Sequence, residues 1–165
     1  MSFLVAEFGT VLSIDENRGI RRMTMPDDIL AYNRTLIETF RADGGASLGD
    51  RRLLLLTTRG RRTGQPRTSP MMYVDDGARL LVIASNAGAA TDPQWYRNLV
   101  ADPHVTVELP GRSYAARATP LSGADYDRQW ARIKQDHPFF TEHEQKAGRT
   151  IPVVSLTDDE AAAPS

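Results

Sequence analysis

The stretch from Leu53 to Tyr73, LLLLTTRGRRTGQPRTSPMMY, constrains this chain more than any other. An apolar run, Leu53–Leu56, leads through Thr57 and Thr58 into a basic turn bracketed by Gly60 and Gly64. A second apolar segment follows and ends near Tyr73. The pattern predicts a β-hairpin with strands over 53–59 and 68–74. From Asp50 to Arg67 there are six arginines and one acid. Two readings of the turn stand. It is an ordinary hairpin with solvated arginines, or it is an anion site. In the second case glycine frees backbone N–H groups to face a ligand, and guanidinium forks grip phosphate or carboxylate oxygens. Thr57, Thr58, Thr63 and Gln65 add neutral donors to that site. The turn is neither GxxxxGK[ST] nor GxGxxG.

Composition sets the limits. With 165 residues and a net charge of -1, the chain is sized for one domain, and its charge argues against a general polyanion binder and against nucleic acid as a partner. Only Lys134 and Lys146 among the twenty basic residues are lysines. There is no cysteine, which removes disulfides, thiolate nucleophiles and cysteine-based metal sites and is consistent with a cytoplasmic location. The three histidines, His104, His137 and His143, have no metal-ligand spacing, so no metal is expected. No apolar run is long enough to span a bilayer, and the first helix carries too many acids for attraction to anionic lipid.

The rest of the chain reads as alternating short elements. Residues 1–22 are expected to be an extension, disordered or ahead of a later start, because Met23 and Met25 stand directly before a well-formed helix. That helix has Thr24 as N-cap, Pro26 in its first turn, apolar spacing through Phe40, and Gly44-Gly45 as its stop. Strands are expected at 79–84, 104–109, 113–119 and 151–156, and helices at 91–100 and 122–135, with a short segment from Pro138 to Lys146. Residues 158–165 read as a frayed acidic tail, leaving 23–157 as the domain. The class is α+β, mainly β: about six antiparallel strands in a small barrel, with three to four helices around it.

Two further segments carry chemistry. Ala84–Tyr96, ASNAGAATDPQWY, joins small residues, a helix start and two aromatics. It is either a plain strand-to-helix loop with Trp95 and Tyr96 in the core, or the lining of a flat ring. His137, Phe139, Phe140 and His143 cluster before the last strand. They form either a solvated helix face or, with Met72, the wall of a substrate site.

Four ordered motifs then resemble one family. They are NRTLIETFRADGG, LLLLTTRGRRTGQPRTSP, AS-x-AG-x(4)-P-x-WYRNLVADPHVTV and RTIPVV. Together, over about Ile29 to Leu156, they are similar to the deazaflavin-dependent nitroreductase family. Its members are actinobacterial oxidoreductases of split β-barrel fold that use coenzyme F-420, an 8-hydroxy-5-deazaflavin. The resemblance implies that Arg61, Arg62 and Thr63 hold the anionic tail of the cofactor, with Gln65 and Arg67 in support. It implies that Ser85, Asn86, Ala87 and Gly88 approach the cofactor and that Trp95 and Tyr96 close over it. Family members often carry lysine at the position of Asn86 and glycine at that of Ala87. The activity implied is hydride transfer to an organic acceptor (a quinone, an activated enone or a nitroaromatic), with His143 first and His137 second as the polar catalytic group. FMN is the alternative cofactor. A non-catalytic flavin or tetrapyrrole binder is the alternative function. A monomer or homodimer is expected.

Overall fold

The computed structural model describes residues 2–5, 11–15, 19–23, 26–46 and 52–159. Its main sheet has seven strands. These are β4 (Leu53–Arg59), β5 (Pro66–Met72), β6 (Val74–Asp75), β7 (Leu80–Ile83), β8 (His104–Leu109), β9 (Arg112–Pro120) and β10 (Val153–Asp158). Every pairing is antiparallel, in the order β5-β4-β8-β9-β10-β7-β6, and the sheet curls into a half barrel. Four helices accompany it: α1 (Pro26–Asp43), α2 (Gln94–Ala101), α3 (Gly123–Asp136) and α4 (Phe139–Ala147).

Leu53–Leu56 are all buried because β4 is covered on both faces. Leu54 and Leu56 point into one core with Met71, Val107, Trp95 and Leu99, so α2 fills that side of the sheet. Leu53 and Leu55 point the other way, onto Phe40, Leu36 and Ile37 of α1. The same alternation splits β7. Val82 joins the first core, while Leu81 and Ile83 meet Trp130, Ile133 and Phe140 of α3 and α4. A continuous apolar run is what a strand between two layers requires. Each such leucine contributes about 1.5–3 kcal/mol by leaving water.

The strand expected over 68–74 is two strands. The Tyr73 amide donates to the Arg52 carbonyl, and Val74–Asp75 then pairs with β7 instead of β4. Residues 1–22, expected as an extension, contain the strands β1 (Ser2–Val5), β2 (Val11–Asp15) and most of β3 (Gly19–Met23). These pair with one another as a separate antiparallel sheet. The expected N-cap Thr24 and the tail beyond Asp159 lie outside the described residues.

Candidate functional site

A cavity of about 1040 Å³ opens where α1, the β4–β5 turn, β5 and the start of α2 meet. Six arginines line it (Arg34, Arg41, Arg61, Arg62, Arg67 and Arg97) against two acids, Glu38 and Asp92. The Arg41 guanidinium is already committed. It donates to both carboxylate oxygens of Glu108, at 3.0 and 2.9 Å, which ties α1 to β8. Among the described residues none of the other five arginines makes an ion pair. The cavity therefore presents a cationic excess: six arginines face two acids, and Asp92 is itself paired with Arg149.

The turn is held by its own backbone. The Gly60 amide donates to the Gln65 carbonyl and the Gly64 amide to the Gly60 carbonyl, both at 2.8 Å. Gly64 sits at φ +72°, a conformation that suits glycine. The Gln65 amide donates to Thr63 Oγ1, and the Arg61 amide to Asn98 Oδ1. Among the described residues this leaves the Arg62 and Thr63 amides without an internal acceptor. Arg61 Nη1 donates to Gln94 Oε1 at 2.6 Å, which fixes that side chain against α2. Gln65 closes the turn and does not line the cavity.

The second wall is the loop from Ala84 to Asp92, with a 3-10 turn at Asn86–Gly88. Asn86, Ala87 and Gly88 all have positive φ, at 48°, 54° and 82°. Asn and Gly tolerate this region, and alanine does not. Asn86 Nδ2 donates to the Thr91 carbonyl, and both residues line the cavity. Gly88 is pressed against α4. A Cβ there would lie 3.0 Å from Lys146 Cδ and 3.3 Å from His143 Cα.

Of the expected cofactor residues, Arg61, Arg62, Thr63, Arg67, Asn86 and Trp95 converge on the cavity. Ser85, Ala87, Gly88 and Tyr96 do not line it. Ser85 is fully buried, and Tyr96 packs edge-on against Trp95, its hydroxyl pKa raised by burial. Thr58 is no ligand donor. It is buried, and its hydroxyl accepts from Asn98 Nδ2. On the substrate side, Phe140 is 1 % exposed and belongs to the second core, against Trp130, so it forms no open wall. Met72 packs against that same core. Phe139 is exposed and stacks on Phe140. His137 and His143 flank this aromatic pair and lie off the arginine-lined cavity. His143 is half-buried, and burial holds its pKa below the ordinary 6.5, with Lys146 adding to the effect. Its Nδ1 is buried with no hydrogen-bond partner among the described residues.

Sequence reasoning missed four contributors, Asn98, Gln94, Arg34 and Glu38. Asn98 is 5 % exposed and bridges Thr58 to the Arg61 amide. Its spacing from Trp95 and Leu99 placed it on the buried face of α2, a polar residue among apolar ones, and that was the available signal. Gln94 orients Arg61, and α1 supplies Arg34 and Glu38 to the rim.

Residues 32–158 match the F420H(2)-dependent quinone reductase family. The chain belongs to that family. An F420H(2)-dependent quinone reductase of Mycobacterium tuberculosis is 36% identical over 107 residues, covering 63% of this chain and 72% of the relative. The solved structure of an F420-H2 dependent reductase, FDR-A, is 30% identical with a TM-score of 0.58, covering 64% of this chain and 94% of that one. A solved domain-swapped dimer is 29% identical with a TM-score of 0.61, covering 80% and 99%. With the half-barrel sheet, these neighbours place the chain in the split β-barrel class expected from its motifs. It is an oxidoreductase whose cofactor is the deazaflavin F-420. The cavity fits that cofactor. Its volume is at the upper end for a ligand site, and its unpaired arginines suit a long anionic tail better than the compact phosphate of FMN. Among the described residues no helix is long and apolar enough to cross a membrane.

Proposed function

We propose that this chain passes a hydride from reduced F-420 to a quinone, with activated enones and nitroaromatics as further acceptors at the same site. One observation carries the reading: a large cavity, bordered by Trp95, with five arginines that make no ion pair among the described residues. The chemistry that F-420 supplies when bound is two-electron hydride transfer from C5 of its ring. Arg61, Arg62 and Arg67 grip the anionic tail, with Thr63 beside them. Each charge-assisted contact is worth about 1.5–3 kcal/mol. Trp95 gives the ring an apolar wall, and Asn86 borders it from the loop.

We assign the proton-donating role to His143. Burial keeps its imidazole neutral near pH 7, and a neutral ring still holds one N–H to give. His143 packs against the Asn86–Gly88 turn, which joins it to the cavity wall. His137 and Phe139 complete the acceptor side. The binding unit is 23–157, and the domain-swapped neighbour supports a dimer.

The test is absorbance-monitored oxidation of reduced F-420 against quinones, enones and nitroaromatics, with reduced FMN as a control donor. Quinones should be reduced fastest. No acceptor-dependent oxidation above the protein-free rate would sink the proposal. In single-turnover form, His143→Phe should slow hydride transfer by about a hundredfold, the scale of lost general-acid help. A change within about twofold would remove His143 from the chemistry.

A further inference from the structure

We propose that Arg149 is a positioning residue, which holds the 84–92 loop in the shape that forms one wall of the cavity. The inference rests on the reading of that cavity as the F-420 site. Arg149 follows Gly148, the left-handed cap of α4, and leads toward β10. Its side chain is only 16% exposed. Nε donates to the Ala89 carbonyl at 3.1 Å. Nη2 lies within hydrogen-bond reach of the carbonyls of Ala84, Ser85 and Thr91, at 3.2, 3.3 and 3.1 Å. Nη1 pairs with Asp92 Oδ1 at 2.7 Å. One guanidinium therefore gathers both ends of a single loop.

Between those ends stand the three residues with positive φ. Asn86 and Gly88 accept that conformation readily. Ala87 at φ 54° does not, and something must over-determine it. From one side α4 presses on Gly88. From the other, Arg149 satisfies carbonyls that the looped backbone turns away from any ladder. The task needs a planar fork with donors on several vectors. Lysine supplies donors at one point only. Asn86, Thr91 and Asp92 reach the cavity only if the loop keeps this shape.

Three variants and two measurements test this. Arg149→Lys keeps the charge and loses the fork. Affinity for oxidised F-420 is read by equilibrium dialysis, and amide hydrogen exchange is read in the cofactor-free protein. The expected result is affinity weakened by about tenfold or more, with exchange accelerated at the Gly88 and Ala89 amides, which close the turn onto Ser85 and Asn86. Amides of Val153–Asp158 should keep their protection, which shows an intact sheet. Arg149→Lys combined with Ala87→Gly should recover part of the affinity, because glycine removes the strain that Arg149 restrains. Asp92→Asn, which weakens the anchor and leaves the fork, should have a smaller effect of the same kind. Affinity and loop exchange both within about twofold of the parent would overturn the proposal, because lost charge-assisted bonds leave a larger mark. Equal loss of protection in β10 would overturn it too, since the role would then be global. If the parent itself binds no F-420, the cofactor reading fails, and loop exchange alone decides the role of Arg149.

Discussion

The cavity is built from two walls of opposite character. The β4–β5 turn is exposed, closed by its own short-range backbone bonds, and presents Arg61 and Arg62, which make no ion pair among the described residues. The 84–92 loop carries no arginine of its own. It is held from outside by α4 and by a guanidinium about sixty residues away in sequence. The first wall leaves its guanidiniums open to the cavity, and the second commits its polar groups to its own shape. Affinity should therefore respond to charge at the turn and to geometry at the loop.

The sharpest way to break this contrast is at the turn. Arg61→Ala with Arg62→Ala should weaken F-420 binding by at least about tenfold, since two contacts of about 1.5–3 kcal/mol each are lost. Calorimetric titration at two ionic strengths adds a signature. The deficit should shrink as salt rises, because exposed charges are screened. Unchanged affinity at both salt levels would remove the turn from the site.

Asn98→Ala reaches under the turn. It takes away a buried amide that serves Thr58 and the Arg61 backbone at once. Urea unfolding should show a loss of about 1–3 kcal/mol. A loss below about half a kilocalorie, the scale of ordinary surface changes, would mean that water replaces the bridge at no cost.

At the loop the sign reverses. Ala87→Gly relieves a left-handed alanine and should stabilise the protein by about 1 kcal/mol, or roughly 2–4 °C in melting temperature. A lower melting temperature would show that φ 54° costs nothing here.

The smallest effect expected is a slope with pH. Burial holds the folded pKa of His143 below its ordinary 6.5, so the unfolded chain binds this proton more readily. The stability that comes with neutral His143 is complete above about pH 6.5 and is lost as the pH falls from there through the folded value. Thermal unfolding between pH 7.5 and 5 should show this decline, and His143→Phe should flatten it. Asp125 acts only in a lower window, because its hydrogen bond from Arg79 holds its carboxyl below 3.8. A slope that survives the substitution would assign it to other groups.

What the sequence revealed follows from range. Leu53–Leu56, the basic turn and the apolar face of α3 are local patterns, and the structure buries Leu54, Leu56, Trp130 and Ile133 as those patterns require. Phe140 and Met72 pack with the second core, which sequence does not reveal, because an aromatic or thioether near a suspected site looks the same whether it faces core or ligand. Packing against Trp130 and its neighbours decides for the core. The resemblance puts Ser85 at the cofactor, and the structure buries its side chain. The partners of Asn98 and Arg149 lie tens of residues away along the chain, so helix spacing marks Asn98 as buried without naming its partners, and Arg149 has no local pattern to show. The break at Tyr73 was hidden because both halves have strand composition.

The two tryptophans divide between the halves of the molecule. Trp95 borders the cavity, while Trp130 lies in the second core, stacked on Tyr126 with its indole N–H given to Glu144. The chain thus carries two intrinsic optical reporters in separate surroundings. With Trp130→Phe, emission from Trp95 alone should be quenched as a chromophoric ligand enters. With Trp95→Phe, emission from Trp130 should follow the opening of the second core during unfolding.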